Sequence, residues 1–327
     1  MTRYPTFDRR RLRLRSVAVR GSDLDVAHCA PLVRPAAFYT PPDFPVLVER
    51  IRVARRERRP VILMMGAHPI KLGLSRYLID LLERGWITHL ATNGAGVIHD
   101  YELAAWGATS ENVGKWIREG QFGLWEETSA INDIVAAARD TGEGLAEAVG
   151  RAIEEHRLPH RHISLSAAAY RLHVPMTAHV TVGADILHSH ANCCGAALGA
   201  ASYIDFLIFA HAVEHLQRGV YLNLGTSVTG PEVYLKALSM ARNVARQRNE
   251  EICDFTTAVF DLVPLPHNWR DGEPAKSDPG YYYRPWKTIL LRTVADGGDS
   301  YYFQGDHRDT LPSLWDGLTR ISDEKSP

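Results

Sequence analysis

Short unbroken apolar runs alternate along this chain with longer segments in which apolar residues return every three or four positions. Val61–Met65 (VILMM) is such a run, and residues 87–92, 173–177, 220–223 and 255–261 repeat the pattern. Runs of this length suit strands covered on both faces, as in a parallel sheet. Between them, helical spacing is read at 44–58, 74–84, 130–138, 144–156, 164–171 and 200–218, with further helices from near Pro231 and from about Leu311. The run at 286–293 (WKTILLRT) reads as the last strand, after a long proline- and tyrosine-rich loop at 264–285. Regular alternation of strand and helix predicts an α/β fold: a single doubly wound Rossmann-like domain with a mostly parallel sheet. Residues 1–45 read as an irregular leader arm and 46–327 as the domain. A stretch with glycines at 107, 114, 120 and 123 reads as an excursion over one sheet edge.

Two glycine turns sharpen this picture. The first strand ends at Gly66, where the backbone can turn sharply and let a ligand approach. The second is followed by Asn93, Gly94, Ala95 and Gly96, whose N–H groups at the start of the next helix suit a phosphate or ribose oxygen. One βαβ unit places both turns at the carboxyl edge of the sheet, where open α/β folds bind ligands. Beside the first turn, GAHPIK offers His68 to exchange a proton and Lys71 as a compact positive anchor. Thr92 and Asn93 open the second turn, and Asp100 closes it as a carboxylate for ribose hydroxyls or as a helix cap.

Composition excludes little beyond the extremes. With 37 basic and 38 acidic residues in 327, nothing in the overall charge argues for nucleic acid or membrane, and a small molecule or a second copy of the chain is the expected partner. No apolar run in the sequence reads as a membrane span, and the N-terminal stretch lacks a secretory apolar core, so a cytoplasmic location is expected. Four cysteines in a chain of this size are read as reduced thiols. The run HSHANCC offers His188, His190 and Cys193 as zinc-type ligands, although its spacing is not that of a zinc ribbon or finger.

Several motifs taken in order resemble those of deoxyhypusine synthase and its relatives. They are Gly73 to Ser75, the loop TNGAGVIHD from Thr92 to Asp100, VGADILHSH from Val182 to His190, LGTS from Leu224 to Ser227, and PWKTI from Pro285 to Ile289. The resemblance spans residues 60–295 and implies an NAD site, an amine pocket and a tetramer or dimer with sites at subunit interfaces. The first turn already offers Gly66 as a cofactor contact; the resemblance implies further contacts at Gly73, Ser75, Thr92, Asn93, Gly94, Gly96, Asp100, Asp185, Gly225, Thr226 and Ser227, and makes His190 a pocket residue. Glu126, Glu127, Asp271 and Trp286 stand for the acidic and aromatic groups that would hold an ammonium.

Departures from the family bear on function. The family's imine-forming lysine follows a Trp-Gly pair, whereas Lys287 follows Trp286 directly, and on a strand a shift by one residue reverses the side chain's face. Val180 stands where an aspartate is expected. The reading is an NAD-dependent transferase- or lyase-type enzyme that transiently removes hydride from a small amine, amino acid or hydroxy substrate. Lys287 or Lys71 would hold an imine, and His68 or His190 would move protons. The alternatives are a metal-dependent hydrolase or lyase built on His188, His190 and Cys193, and a non-catalytic nucleotide-binding protein.

Overall fold

The computed structural model describes residues 2–323, with side chains to residue 320. Its centre is a six-stranded sheet: β1 (Val61–Met65), β2 (His89–Asn93), β3 (Met176–His179), β4 (Val220–Leu224), β5 (Thr256–Asp261) and β6 (Asp299–Gln304). All neighbours run parallel, in the order β3-β2-β1-β4-β5-β6. That order reverses direction between β1 and β4, which creates the switch point where such sheets bind ligands.

The apolar runs explain why the sheet is sandwiched. In β1, Val61, Leu63 and Met65 pack into one core with α1 (Phe44–Arg56) and α3 (Ser75–Glu83), while Ile62 and Met64 pack into a second core on the opposite face. Strand side chains alternate faces, so a wholly apolar strand needs cover on both sides. The second core rests on α9 (Gly195–Glu214) and α10 (Thr229–Gln247), with the Tyr221 and Tyr234 rings stacked 3.9 Å apart. Completing the helices are α2 (His68–Lys71), α4 (Gly94–Trp106), α5 (Val113–Arg118), α6 (Ala130–Thr141), α7 (Leu145–Glu155), α8 (Leu165–Leu172) and α11 (His307–Asp323).

Two expectations are corrected here. The run at 286–293 is no strand but a π-helical segment, Pro285–Arg292, whose residues 285–290 are buried against the second core. An apolar run with a proline at its head satisfies either pattern, and packing decided the matter. The true last strand, β6, is framed by Asp299, Ser300 and Gln304, polar residues suited to a sheet edge, and stacks Phe303 on Phe260. Second, α9 has 20 residues and is apolar enough in length and composition to cross a membrane, contrary to the sequence reading. In the fold it covers the free edge of β3 instead. Asp205 accepts the Ala178 N–H at 2.8 Å and the Ala146 N–H at 3.2 Å, and Ser202 accepts from Val180 and donates to the Ala178 carbonyl. Burial pushes the Asp205 carboxyl up to about 8, against the pull of these N–H donors.

Residues of the leader dock onto the excursion. Arg15 exchanges backbone hydrogen bonds with Leu124 and Glu126, and Leu24–Asp25 pairs antiparallel with Ala108–Thr109. Glu127 accepts from the Ser16 hydroxyl and the Val17 N–H.

Candidate functional site

At the switch point, Gly66 and Gly225 face each other. A side chain at Gly66 would lie 2.8 Å from the Gly225 carbonyl oxygen, and Gly225 itself has φ +59° with His307 behind it. Only glycine allows this approach and this backbone at no steric cost. His68 and His307 meet edge to face 6.3 Å apart, and burial holds the His307 imidazole below its usual range, with His68 adding to the effect. After Gly225, the Thr226 hydroxyl oxygen accepts the Gly230 N–H, and the cap residue Val228 makes no side-chain bond. Ser227 is exposed beside it. With the Gly230 N–H taken and no N–H on Pro231, the first turn of the 19-residue helix α10 keeps the Thr229 N–H for an anion.

The second glycine turn is closed. Asn93 caps α4 by accepting the Gly96 N–H at 2.9 Å, and a side chain at Gly96 would collide with Thr92. Asp185 fills the remaining space: its carboxylate lies against Gly94 and accepts the Ala95 N–H. The helix N-terminus read as a phosphate or ribose site is thus already occupied by a carboxylate of the chain itself. Burial raises the Asp185 carboxyl, and His188 and the Ala95 N–H oppose that.

Beside this closed turn lies a cavity of about 200 Å³, walled by α2, α4, the excursion and the leader. Its polar lining includes Arg20, Lys71, His99, Glu102, Glu111 and Asp185. Arg20 and Glu102 form a buried bidentate pair at 2.7 and 3.0 Å. Thr109 and Thr128 complete the bonding of the Glu102 carboxylate. Glu111 accepts the Trp125 indole N–H and the Gly123 N–H on one oxygen, while its other oxygen is buried without a partner. Burial raises the Glu111 carboxyl and lowers His99 to about 4, so His99 is a neutral imidazole near pH 7. Lys71 is exposed at the mouth. Because α2 carries both His68 and Lys71, one short helix links the switch point to the cavity. A larger cavity of about 770 Å³ opens at the amino-terminal start of β6, away from the carboxyl edge.

The other sequence-predicted residues are scattered. Asp100 is fully buried and caps α8, accepting from the Ser164 and Ser166 hydroxyls and the Leu165 and Ser166 N–H groups. It has no capacity left for a ribose. Gly73, with φ +72°, packs against Cys29 of the leader, and Ser75 is buried at the start of α3. His190 is fully buried with its Nε2 2.7 Å from the Gly123 carbonyl, holding the excursion and standing outside the cavity lining. His188 Nδ1 accepts the Gly183 and Asp185 N–H groups, and Cys193 is a buried free thiol. Among the described residues no group of three or more His, Cys, Asp or Glu side chains converges as a metal site. Glu126 is exposed, Glu127 is committed to the leader, and Asp271 is exposed on a distant turn. Trp286 is buried and donates to the Trp269 carbonyl. Lys287, buried in the π-helical segment, sits 3.5 Å from the Tyr281 ring centroid and does not line the cavity. Sequence reasoning missed Arg20, Glu102, Glu111 and His99. The last lies inside the motif at 92–100, and Glu102 follows it by one helical turn on the same face.

No family model matches the chain, and no curated protein matches it by sequence. Solved structures do. A cyanobacterial arginine dihydrolase, ArgZ, aligns with a TM-score of 0.51 and 12% identity over 85% of this chain, which spans 33% of that protein's length. A conserved putative LOR/SDH protein from Methanococcus maripaludis aligns with a TM-score of 0.50 and 14% identity over 89% of this chain and 74% of its own. Unliganded AgrE aligns with a TM-score of 0.50 and 15% identity over 90% of this chain and 35% of its own. These likenesses show a shared α/β fold, and this chain spans about a third of the length of the two longer proteins.

Proposed function

We propose that the chain is an NAD-dependent enzyme acting on a small amine, amino acid or hydroxy substrate. One observation carries this reading: the switch point between β1 and β4 adjoins a cavity of about 200 Å³ through a single helix, α2, with His68 exposed at its start and Lys71 at the cavity mouth. The names of the fold relatives, among them an arginine dihydrolase, support an amino-acid substrate. A dinucleotide would approach at the carboxyl edge beside the exposed His68 and Ser227, where the Thr229 N–H opens α10 without a capping side chain. When bound there, the nicotinamide would supply a hydride acceptor.

The chain's own groups would do the rest. Lys71 at the mouth would pair with a substrate carboxylate or hold a carbonyl-like intermediate, and it takes over that role from the enclosed Lys287. His68, facing His307, would exchange a proton with solvent. The unpartnered Glu111 oxygen would accept a substrate N–H or O–H, since an acceptor buried in a cavity stays costly until a donor arrives. The same reading includes self-association as a dimer or tetramer, supported by the outward Tyr203 and Leu207 of α9, 60% and 42% exposed.

Titrating NAD against the fluorescence of the seven tryptophans tests the cofactor. Saturable quenching in the micromolar range is expected, and no response up to millimolar NAD would refute the reading. Light scattering tests self-association, and a monomer mass at micromolar protein would remove it.

A further inference from the structure

We propose that His99 is a fixed-tautomer hydrogen-bond acceptor of the cavity, set by a Thr109–Glu102–Arg20 relay, and that with Glu111 it selects ligands carrying two N–H or O–H donors. The substrate part rests on the function proposed above; the tautomer part does not.

Proton accounting along the relay carries the argument. Arg20 only donates, and its guanidinium holds both oxygens of Glu102, so that carboxylate accepts throughout. Thr109 has one hydroxyl proton, and it goes to Glu102 Oε2 at 2.6 Å. The Thr109 oxygen can then only accept from its remaining neighbour, His99 Nδ1, at 2.7 Å. The proton of His99 therefore sits on Nδ1, and Nε2 carries a bare lone pair. Thr109 is fully buried behind the ring while His99 lines the cavity, so the Nε2 side of the ring is the side turned to the ligand.

Burial keeps the ring neutral against the pull of Glu102, and the positive charges of Lys71 and Arg20 act in the same direction as burial. This is the arrangement by which a buried carboxylate fixes an imidazole through an intervening group, here with a threonine hydroxyl between them. The second acceptor is Glu111 Oε2, buried and without a partner in the same cavity. A ligand that presents donors to both is matched, and one without donors leaves the buried Glu111 oxygen unpaired. Arg20 belongs to the leader, so that segment sets the tautomer of a cavity histidine 79 positions along the chain.

Nitrogen NMR of the full chain labelled at histidine, without NAD, tests this at pH 7, with His99→Gln identifying the resonances. His99 is expected predominantly as the Nδ1–H tautomer. Thr109→Val should convert it to predominantly Nε2–H, and Thr109→Ser, which keeps the hydroxyl, should restore Nδ1–H. A wild-type His99 that is mainly Nε2–H overturns the proposal, as does an unchanged tautomer in Thr109→Val; if the valine variant does not fold, the wild-type and serine spectra decide. Ethanolamine, with donors at both ends, should shift the Nε2 resonance of His99, and acetate should not. A response to acetate alone would overturn the selectivity. Because no NAD is present, failure of the cofactor reading would leave these results standing.

Discussion

The turns after β1 and β2 carry the same sequence signature and have opposite fates. Both follow a buried strand, contain glycine and open a helix. After β1, Gly66 meets the Gly225 carbonyl from the far side of the switch point, and His68 and Ser227 beside them stay exposed. After β2, the carboxylate of Asp185 seals the helix N-terminus and Thr92 fills the space at Gly96. A glycine turn thus marks where the chain crowds its own backbone, by the Gly225 carbonyl at the first and by Asp185 and Thr92 at the second, and the neighbours decide what stays exposed beside it.

The largest expected effect tests whether the first turn borders a working cavity. Arg20→Met strands the Glu102 carboxylate in the interior and should lower unfolding stability by about 3–5 kcal/mol in urea denaturation. A loss below about 1 kcal/mol would mean that the pair is hydrated and the wall is open. Next, Gly66→Ala forces a methyl against the Gly225 carbonyl. It should cost about 1–3 kcal/mol by overpacking and weaken NAD quenching at least tenfold. Undiminished NAD affinity in the folded variant would place the cofactor elsewhere.

Asp185→Ala breaks the comparison from the other side. Removal of the carboxylate at the α4 N-terminus should cost about 1 kcal/mol and let inorganic phosphate protect the variant against heat more than it protects the wild type. Equal protection would show that the second turn is shut by more than Asp185. The last effect is read against pH. The folded Asp205 carboxyl is raised to about 8 from an unfolded value near about 4, so its contribution is complete below the lower value and fades as pH rises through the upper one. Stability should therefore decline from pH 4 to pH 8 on this account, and Asp205→Asn should flatten the decline in thermal unfolding. An unchanged slope would show that the N–H donors from Ala146 and Ala178 keep Asp205 ionised.

Much of the fold was legible because burial writes itself into composition. VILMM names β1 to the residue, and most helices fall within a few residues of their periodic stretches. Pro285–Arg292 misled because an apolar run fits a buried helix and a buried strand alike, and β6 was passed over because its polar ends look like loop. The site was less legible. His68, Lys71, Gly66 and Gly225 were read from turns that do lie at the carboxyl edge. Asp100, His190 and Glu127 were read from the same kinds of signal, yet they cap α8, hold Gly123 and fasten the leader.

The sequence by itself determined the alternation of buried strands and amphipathic helices, and hence a sandwiched parallel sheet, because side-chain period and apolar burial are local properties. Tertiary structure alone decided which polar groups remain free. Satisfying a buried carboxylate or imidazole depends on partners far along the chain: Arg20 for Glu102, Ser164 for Asp100 and Gly123 for His190. What those partners leave unpaired, the Glu111 oxygen above all, is what the cavity has to offer a ligand.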